Sequence, residues 1–291
     1  MHFYPFHAAR LRRLLSLAAV CIAPWCAPAC AQDGITWAVT HFPPFQIRSG
    51  AHQGTGSFDG LLQTMMTRLP EYKHQVSLMS VTRRDEELRE GHDICTPSIF
   101  RNAAREKIWE FSKPALLHLD NRLVFLKENA ARFGGGQVDL EALFKRRDVT
   151  GGILAGRSYA PAVDPLIASH KDAPNLVIRS MPIEQFFEML LNKNVDYLLL
   201  FAHETTFLAD KFGVPQSQFA NLRIAGVPPY IYTHVACSKN AWGKAVIGKV
   251  NAVLDQQLAT PEYRQFSERW YEDDDKARVR RFYPQMLKDG R

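Results

Sequence analysis

The sequence has no HExxH pair, no Walker A loop, no GxSxG elbow and no paired CxxC. The residues for zincin, P-loop, α/β-hydrolase and zinc-ribbon chemistry are therefore missing. No 20–50-residue repeat is present, which excludes a solenoid. The N-terminal apolar run from Leu14 to Ala23 falls short of the ~20 residues a membrane-spanning helix needs. Glycine and proline, at 17 each, are too few for collagen or a disordered low-complexity chain. What remains is 46% hydrophobic, 23% charged and 11% aromatic over 291 residues. That is ordinary globular composition at a length that predicts two domains.

The first 31 residues have the form of an export signal. Arg10, Arg12 and Arg13 make a basic start, the apolar run follows, and Ala29-Cys30-Ala31 fits signal peptidase. Pro24 and Pro28 argue against a buried helix here. Cys30 after Ala29 would also allow a lipid anchor, although Ala27-Pro28 is a poor context for one. The predicted mature chain begins at Gln32, in the periplasm. Of the 36 basic residues, 33 then face 30 acidic ones, and the net charge falls from +6 to +3. The Lys/Arg run that remains near the C-terminus is only Arg278, Arg280 and Arg281, and the extended basic footprint of a nucleic-acid binder is absent.

Three of the five cysteines leave with the signal, and Cys95 and Cys237 stay. In an oxidising compartment such a pair is a disulfide candidate, and two buried free thiols are the alternative.

Along the mature chain, strands and helices alternate. Strands are expected at Ile35–Thr40, Gln75–Val81, Asp93–Ser98, Arg122–Lys127, Thr150–Leu154, Asn175–Arg179, Val195–Phe201 and Tyr230–Ser238. Helices are expected after Gly56 (Leu61, Leu62, Met65, Met66 and Leu69 on one face), at Thr82–Glu90, Arg101–Trp109, from Gly156-Arg157-Ser158, at Pro182–Asn192, Ala245–Leu258 and Pro261–Tyr271. Gly134-Gly135-Gly136 and Gly226–Pro229 punctuate the pattern. The alternation predicts two α/β units, with ligands at the carboxyl ends of the strands.

The stretch Asp93 to Pro114, DICTPSIFRNAAREKIWEFSKP, resembles the hallmark of the family 3 extracellular solute-binding proteins of bacterial ABC importers. Arg105, Lys107, Phe111, Ser112 and Pro114 fall in its register. Ordered agreement continues through Phe42-Pro43-Pro44-Phe45, Phe58-Asp59-Gly60-Leu61, Gly156-Arg157-Ser158, Val195-Asp196 and Val235–Lys239. The resemblance implies a type II periplasmic binding protein fold. Two α/β lobes are joined by two crossover strands, with lobe 1 at 32–125 and 230–291 and lobe 2 at 126–229.

It also implies site residues. Arg105 would hold a ligand carboxylate through its bidentate guanidinium, and Ser98 and Asn102 would meet the ligand beside it. Ser158 would present a helix N-terminus to an anion, or act only as that helix's N-cap, and Phe42 would stack on the ligand. Amino-acid-binding members carry an Asp, pairing with the α-ammonium, where this chain has Phe201. A carboxylate or other anionic solute is therefore expected instead of an ordinary amino acid, unless Glu204 takes that role.

The implied function is capture of a small solute for the membrane permease of an ABC importer, by a monomer without cofactor or metal. The eight mature histidines show no metal-ligand spacing. A sensor protein as partner is an alternative, and so is a dehydratase-like enzyme on the same scaffold. His41, His203 and Glu204 are the only acid/base candidates for the latter.

Overall fold

The computed structural model describes residues 1–3 and 34–290. The expected signal, with Cys21, Cys26, Cys30 and the cleavage site, lies outside the described residues except for its first three.

The chain opens with β1 (Gly34–Val39), α1 (Ser57–Arg68), β2 (Lys73–Leu78), α2 (Val81–Arg89) and β3 (Ile94–Phe100). Two short strands follow, β4 (Trp109–Phe111) and β5 (Leu116–Leu119). Then come β6 (Asn121–Leu126), α3 (Ala130–Phe133), β7 (Gln137–Val138), α4 (Leu140–Phe144), β8 (Gly151–Leu154) and α5 (Asp164–Ser169). After these the chain forms β9 (Leu176–Arg179), α6 (Ile183–Leu191), β10 (Tyr197–Phe201), α7 (Ala202–Phe212) and β11 (Phe219–Ile224). The last segment is β12 (Tyr230–Ser238), α8 (Ala241–Gln257), α9 (Pro261–Glu268) and α10 (Asp273–Asp289).

The strands form two sheets, so the mixed α/β class expected from the alternation is the one found. One sheet has the order β2-β1-β3-β12-β4 with β5 also on β12, and the other has the order β7-β11-β6-β10-β8-β9. β1 runs parallel to β2 and β3, whereas β12 pairs antiparallel with β3, β4 and β5. The first sheet is thus completed only when the chain returns after building the second. The periodic helices bury the faces their spacing marks: Leu61, Leu62 and Met65 on α1, Phe186, Phe187 and Leu190 on α6, Val246, Val250 and Leu254 on α8. Among the described residues no helix is long and apolar enough to cross a membrane.

Asp120 stands between the sheets, after β5 and before β6. Its side chain is fully buried and pairs with Arg122 at 3.2 Å, with Arg223 of β11 at 3.3 Å and with Arg278 of α10 at 3.0 Å. Arg280, from the same basic run, is bound by Glu268.

Three expected elements differ. Residues 101–109 make only a 3-10 turn, Arg105–Lys107, because Trp109 and Phe111 leave to pair with β12 as β4. No helix opens at Gly156-Arg157-Ser158; α5 begins at Asp164, six residues beyond Ser158. The helix at Pro261 ends at Glu268, and Trp270 turns with φ 64° before α10. In α10 the acidic run fills the first turn, where Asp273, Asp274 and Asp275 complement the helix dipole.

Cys95 and Cys237 face each other in the β3–β12 register and are joined as a buried disulfide, 142 positions apart in sequence. A loop of that length gives a chain-entropy stabilisation of roughly 4–5 kcal/mol before relaxation is subtracted. The mature protein is therefore expected to show no alkylatable thiol without reductant and two with it. Cys95→Ala with Cys237→Ala should lower unfolding stability by several kcal/mol in urea melts. Two reactive thiols in the unreduced, unfolded protein would contradict the bond.

Candidate functional site

The cleft begins at the loop after β1. Phe42 and Gln46 exchange backbone hydrogen bonds at 2.8 and 2.9 Å around a cis Pro43–Pro44 peptide. The loop is tied to α1, because the Phe58 amide donates to the Phe45 carbonyl at 2.7 Å. Gly56 is required there, since a Cβ would lie 2.3 Å from that carbonyl oxygen. One oxygen of Asp59 caps α1 at the Gly56 amide (3.1 Å) and also takes the Ile47 amide (2.8 Å). These contacts hold the Phe42 and Phe45 rings in place, 5.0 Å apart and stacked.

The same wall carries the end of β3 and the turn after it. The Asn102 side chain accepts from the Arg105 amide at 2.9 Å, and Arg105 Nη1 donates to the Phe100 carbonyl at 2.8 Å. Arg84 of α2 is buried beside it and held by Asp85 through Nε and Nη2 at 3.0 and 2.9 Å. Burial, and then the like charge of Arg84, draws the Arg105 guanidinium below its usual value, with Asp85 and Asp164 opposing. An anion placed there would relieve both effects. Ser98 Oγ and Gln46 Nε2 are buried along this wall without a partner, so two hydrogen-bonding groups stand ready at no cost of breaking other bonds.

The facing wall comes from the second sheet. Arg157 follows β8, and its Nη1 and Nη2 donate to the two oxygens of Glu204 at 2.7 and 2.6 Å. Both side chains are buried. Burial alone would lower the Arg157 guanidinium, but the Glu204 charge and hydrogen bonds outweigh it and raise it. Ser158 Oγ donates to Asp164 at 2.5 Å.

Between the walls lies a cavity of about 370 Å³. Among the described residues its lining includes Arg84, Arg105 and Arg157 and no carboxylate side chain. Asp85 and Glu204 each hold one of these arginines, and Arg105 is the one without an ion-pair partner. Such a cavity favours a carboxylate and disfavours an ammonium.

Arg105, Ser98, Ser158, Phe42 and Phe201 all line the cavity. Asn102 does not; its side chain caps the turn that carries Arg105. Ser158 is neither an N-cap nor part of a helix N-terminus, and its hydroxyl is engaged by Asp164. Glu204 cannot serve a ligand ammonium while Arg157 holds both its oxygens. Sequence reading missed Arg84, in a helix that reads as polar, and Arg157, read only as part of a Gly-Arg-Ser helix start. The signal available for Arg157 was Glu204, an unpaired acid after an apolar strand.

Of the acid/base candidates, His41 lines the cavity, but His203 is buried and neither of its ring nitrogens has a partner. Its ring packs against Phe45 (4.5 Å), Tyr271 (4.4 Å) and His118 (6.0 Å). Elsewhere, Glu87, Glu90 and His92 come close enough to ligate a cation at the end of α2, where His92 bonds Glu87 instead.

Residues 35–273 match the sequence profile of the bacterial extracellular solute-binding proteins, family 3. No curated protein matches the chain in sequence. Among solved structures, the Bordetella pertussis BvgS periplasmic VFT2 domain is 19% identical, with 82% of this chain and 94% of that one covered and a TM-score of 0.58. A P235GK mutant of ArgBP from T. maritima is 17% identical, covering 82% and 95%, at TM-score 0.61. A histidine kinase sensor domain with similarity to periplasmic binding proteins is 12% identical, covering 82% and 96%, at TM-score 0.63. These likenesses bear on the fold.

The buried histidines give a pH dependence. Burial holds His118 down to about 3, and burial followed by the charges of His118 and Arg157 holds His203 well below its usual value. Below about pH 6.5 the unfolded chain protonates them while the folded chain does not. Stability then falls by about 1.4 kcal/mol per pH unit for each. His203→Phe should reduce the stability lost in urea melts between pH 7 and pH 5 by about that amount per unit. An unchanged loss would show that His203 does not contribute.

Proposed function

Because the chain belongs to the bacterial extracellular solute-binding proteins, family 3, we propose that it captures a small anionic solute lacking an ammonium group in the cleft between two lobes. The lobes are the regions 32–125 with 230–291 and 126–229, closing about the connections near Asp120 and Gly226. The observation that carries this reading is the cavity lining, which among the described residues includes three arginines and no Asp or Glu. Arg105 is the anchor, with Ser98 and Gln46 as further polar contacts. An arginine, the ligand in the name of the T. maritima protein, would bring an ammonium and a guanidinium. The carboxylates beside the facing wall are already engaged, Glu204 on both oxygens by Arg157 and Asp164 by Ser158 and the Tyr159 amide.

Exported to the periplasm, the closed form would be presented to the permease of an ABC importer. A sensor protein is the second reading, on the likeness to the histidine kinase sensor domain. Binding rather than turnover is supported by the state of two of the three acid/base candidates, since His203 is buried without a hydrogen-bond partner and Glu204 is tied to Arg157, which leaves His41 alone in the cavity wall.

Calorimetry with pairs of solutes that differ only by the ammonium group, succinate with aspartate and glutarate with glutamate, tests the reading. The deaminated member of at least one pair should bind at least 100-fold more tightly. Arg105→Met should weaken that binding by roughly 100-fold, as expected for truncating one partner of a buried charge pair. Equal or tighter binding of the amino acid would contradict it.

A further inference from the structure

The face of Phe42 that would stack on a solute is taken by the chain's own Arg157. Its guanidinium carbon lies 5.2 Å from the Phe42 ring centre, 5.4 Å from Phe201 and 4.7 Å from Tyr159. The fork of two terminal nitrogens meets the two oxygens of Glu204. Glu204 is fixed from behind, where its Oε2 accepts the Phe201 amide at 2.8 Å as part of the α7 cap. A planar cation between aromatic faces with a bidentate carboxylate at its edge is the arrangement by which proteins recognise a free guanidinium. Here the cation arrives on a turn residue of the same chain, beside Gly156 at φ 77°.

We propose that Glu204, Phe42, Phe201 and Tyr159 form an organic-cation subsite of the cleft. Arg157 fills it as a tethered occupant, and so makes the cleft refuse solutes that carry an ammonium or guanidinium group. Phe42 belongs to the loop after β1, whereas Arg157 and Glu204 belong to the wall built on the second sheet. The occupant therefore also bridges the cleft without any solute. The inference rests on the solute-binding reading, but its test needs no natural solute, so either can fail alone.

The experiment removes the occupant and supplies it in solution. Arg157→Ala leaves the Glu204 carboxylate facing an empty aromatic slot, and ethylguanidinium is the probe, followed by thermal melting. The variant should melt lower than wild type and recover with the probe saturably, by about 3–6 °C at ten times its dissociation constant. Wild type, whose slot is filled, should not shift. Neither should Arg157→Ala with Glu204→Gln, which lacks the carboxylate. A shift in the single variant no larger than in these two controls would overturn the proposal. If Arg157→Ala does not fold by itself, its near-UV circular dichroism should be restored by refolding with 20 mM ethylguanidinium. Failure of that rescue while the double variant folds would also overturn it.

Discussion

A guanidinium buried at the wall of a cleft needs a carboxylate behind it, and Arg157 has Glu204. Removing either partner would leave an unpaired charge among Phe42, Phe201 and Tyr159, at a cost of roughly 3–5 kcal/mol. The pair also organises its surroundings. Glu204 caps α7 at the end of β10, and Arg157 lies against the loop after β1, so groups from both sheets are placed by one interaction. It also consumes a carboxylate that could have offered a counter-charge to a cationic solute on this wall.

The rest of the cleft's chemistry is the complement of that constraint. With Glu204 spent on Arg157 and Asp85 on Arg84, Arg105 stands without a carboxylate, and burial together with the like charge of Arg84 makes its isolation unfavourable. An entering anion would supply the missing counter-charge. Where the chain passes from one sheet to the other, Asp120 gathers Arg122, Arg223 and Arg278. The covalent tie between β3 and β12 keeps the strand that leads to Arg105 in register with the returning chain.

Much of the fold could be read from the sequence, because periodicity reports burial. The faces of α1, α6 and α8 and the extent of β12, Tyr230–Ser238, follow from apolar spacing. The failures came where tertiary pairing overrode local propensity. Residues 101–109 read as a helix but give their last part to β4, because β12 offers a strand edge there. The place of Arg105 in the cavity wall and the departure at Phe201 were legible through a family resemblance. The Arg157–Glu204 pair was not, since 47 residues separate the partners and nothing local marks either as buried. For the same reason His203 gave no sign of its burial, and nothing local showed that the Asn102 side chain bonds the Arg105 amide or that Ser158 bonds Asp164.

The account stands or falls on the charge of what enters the cleft. Protein expressed with residues 1–31 in place, purified from the periplasm without dialysis and then denatured, would release its bound small molecules for mass spectrometry. The account predicts an acid with no ammonium or guanidinium group, present in wild type and lost from Arg105→Met. A standard amino acid released in stoichiometric amount from wild type would contradict it.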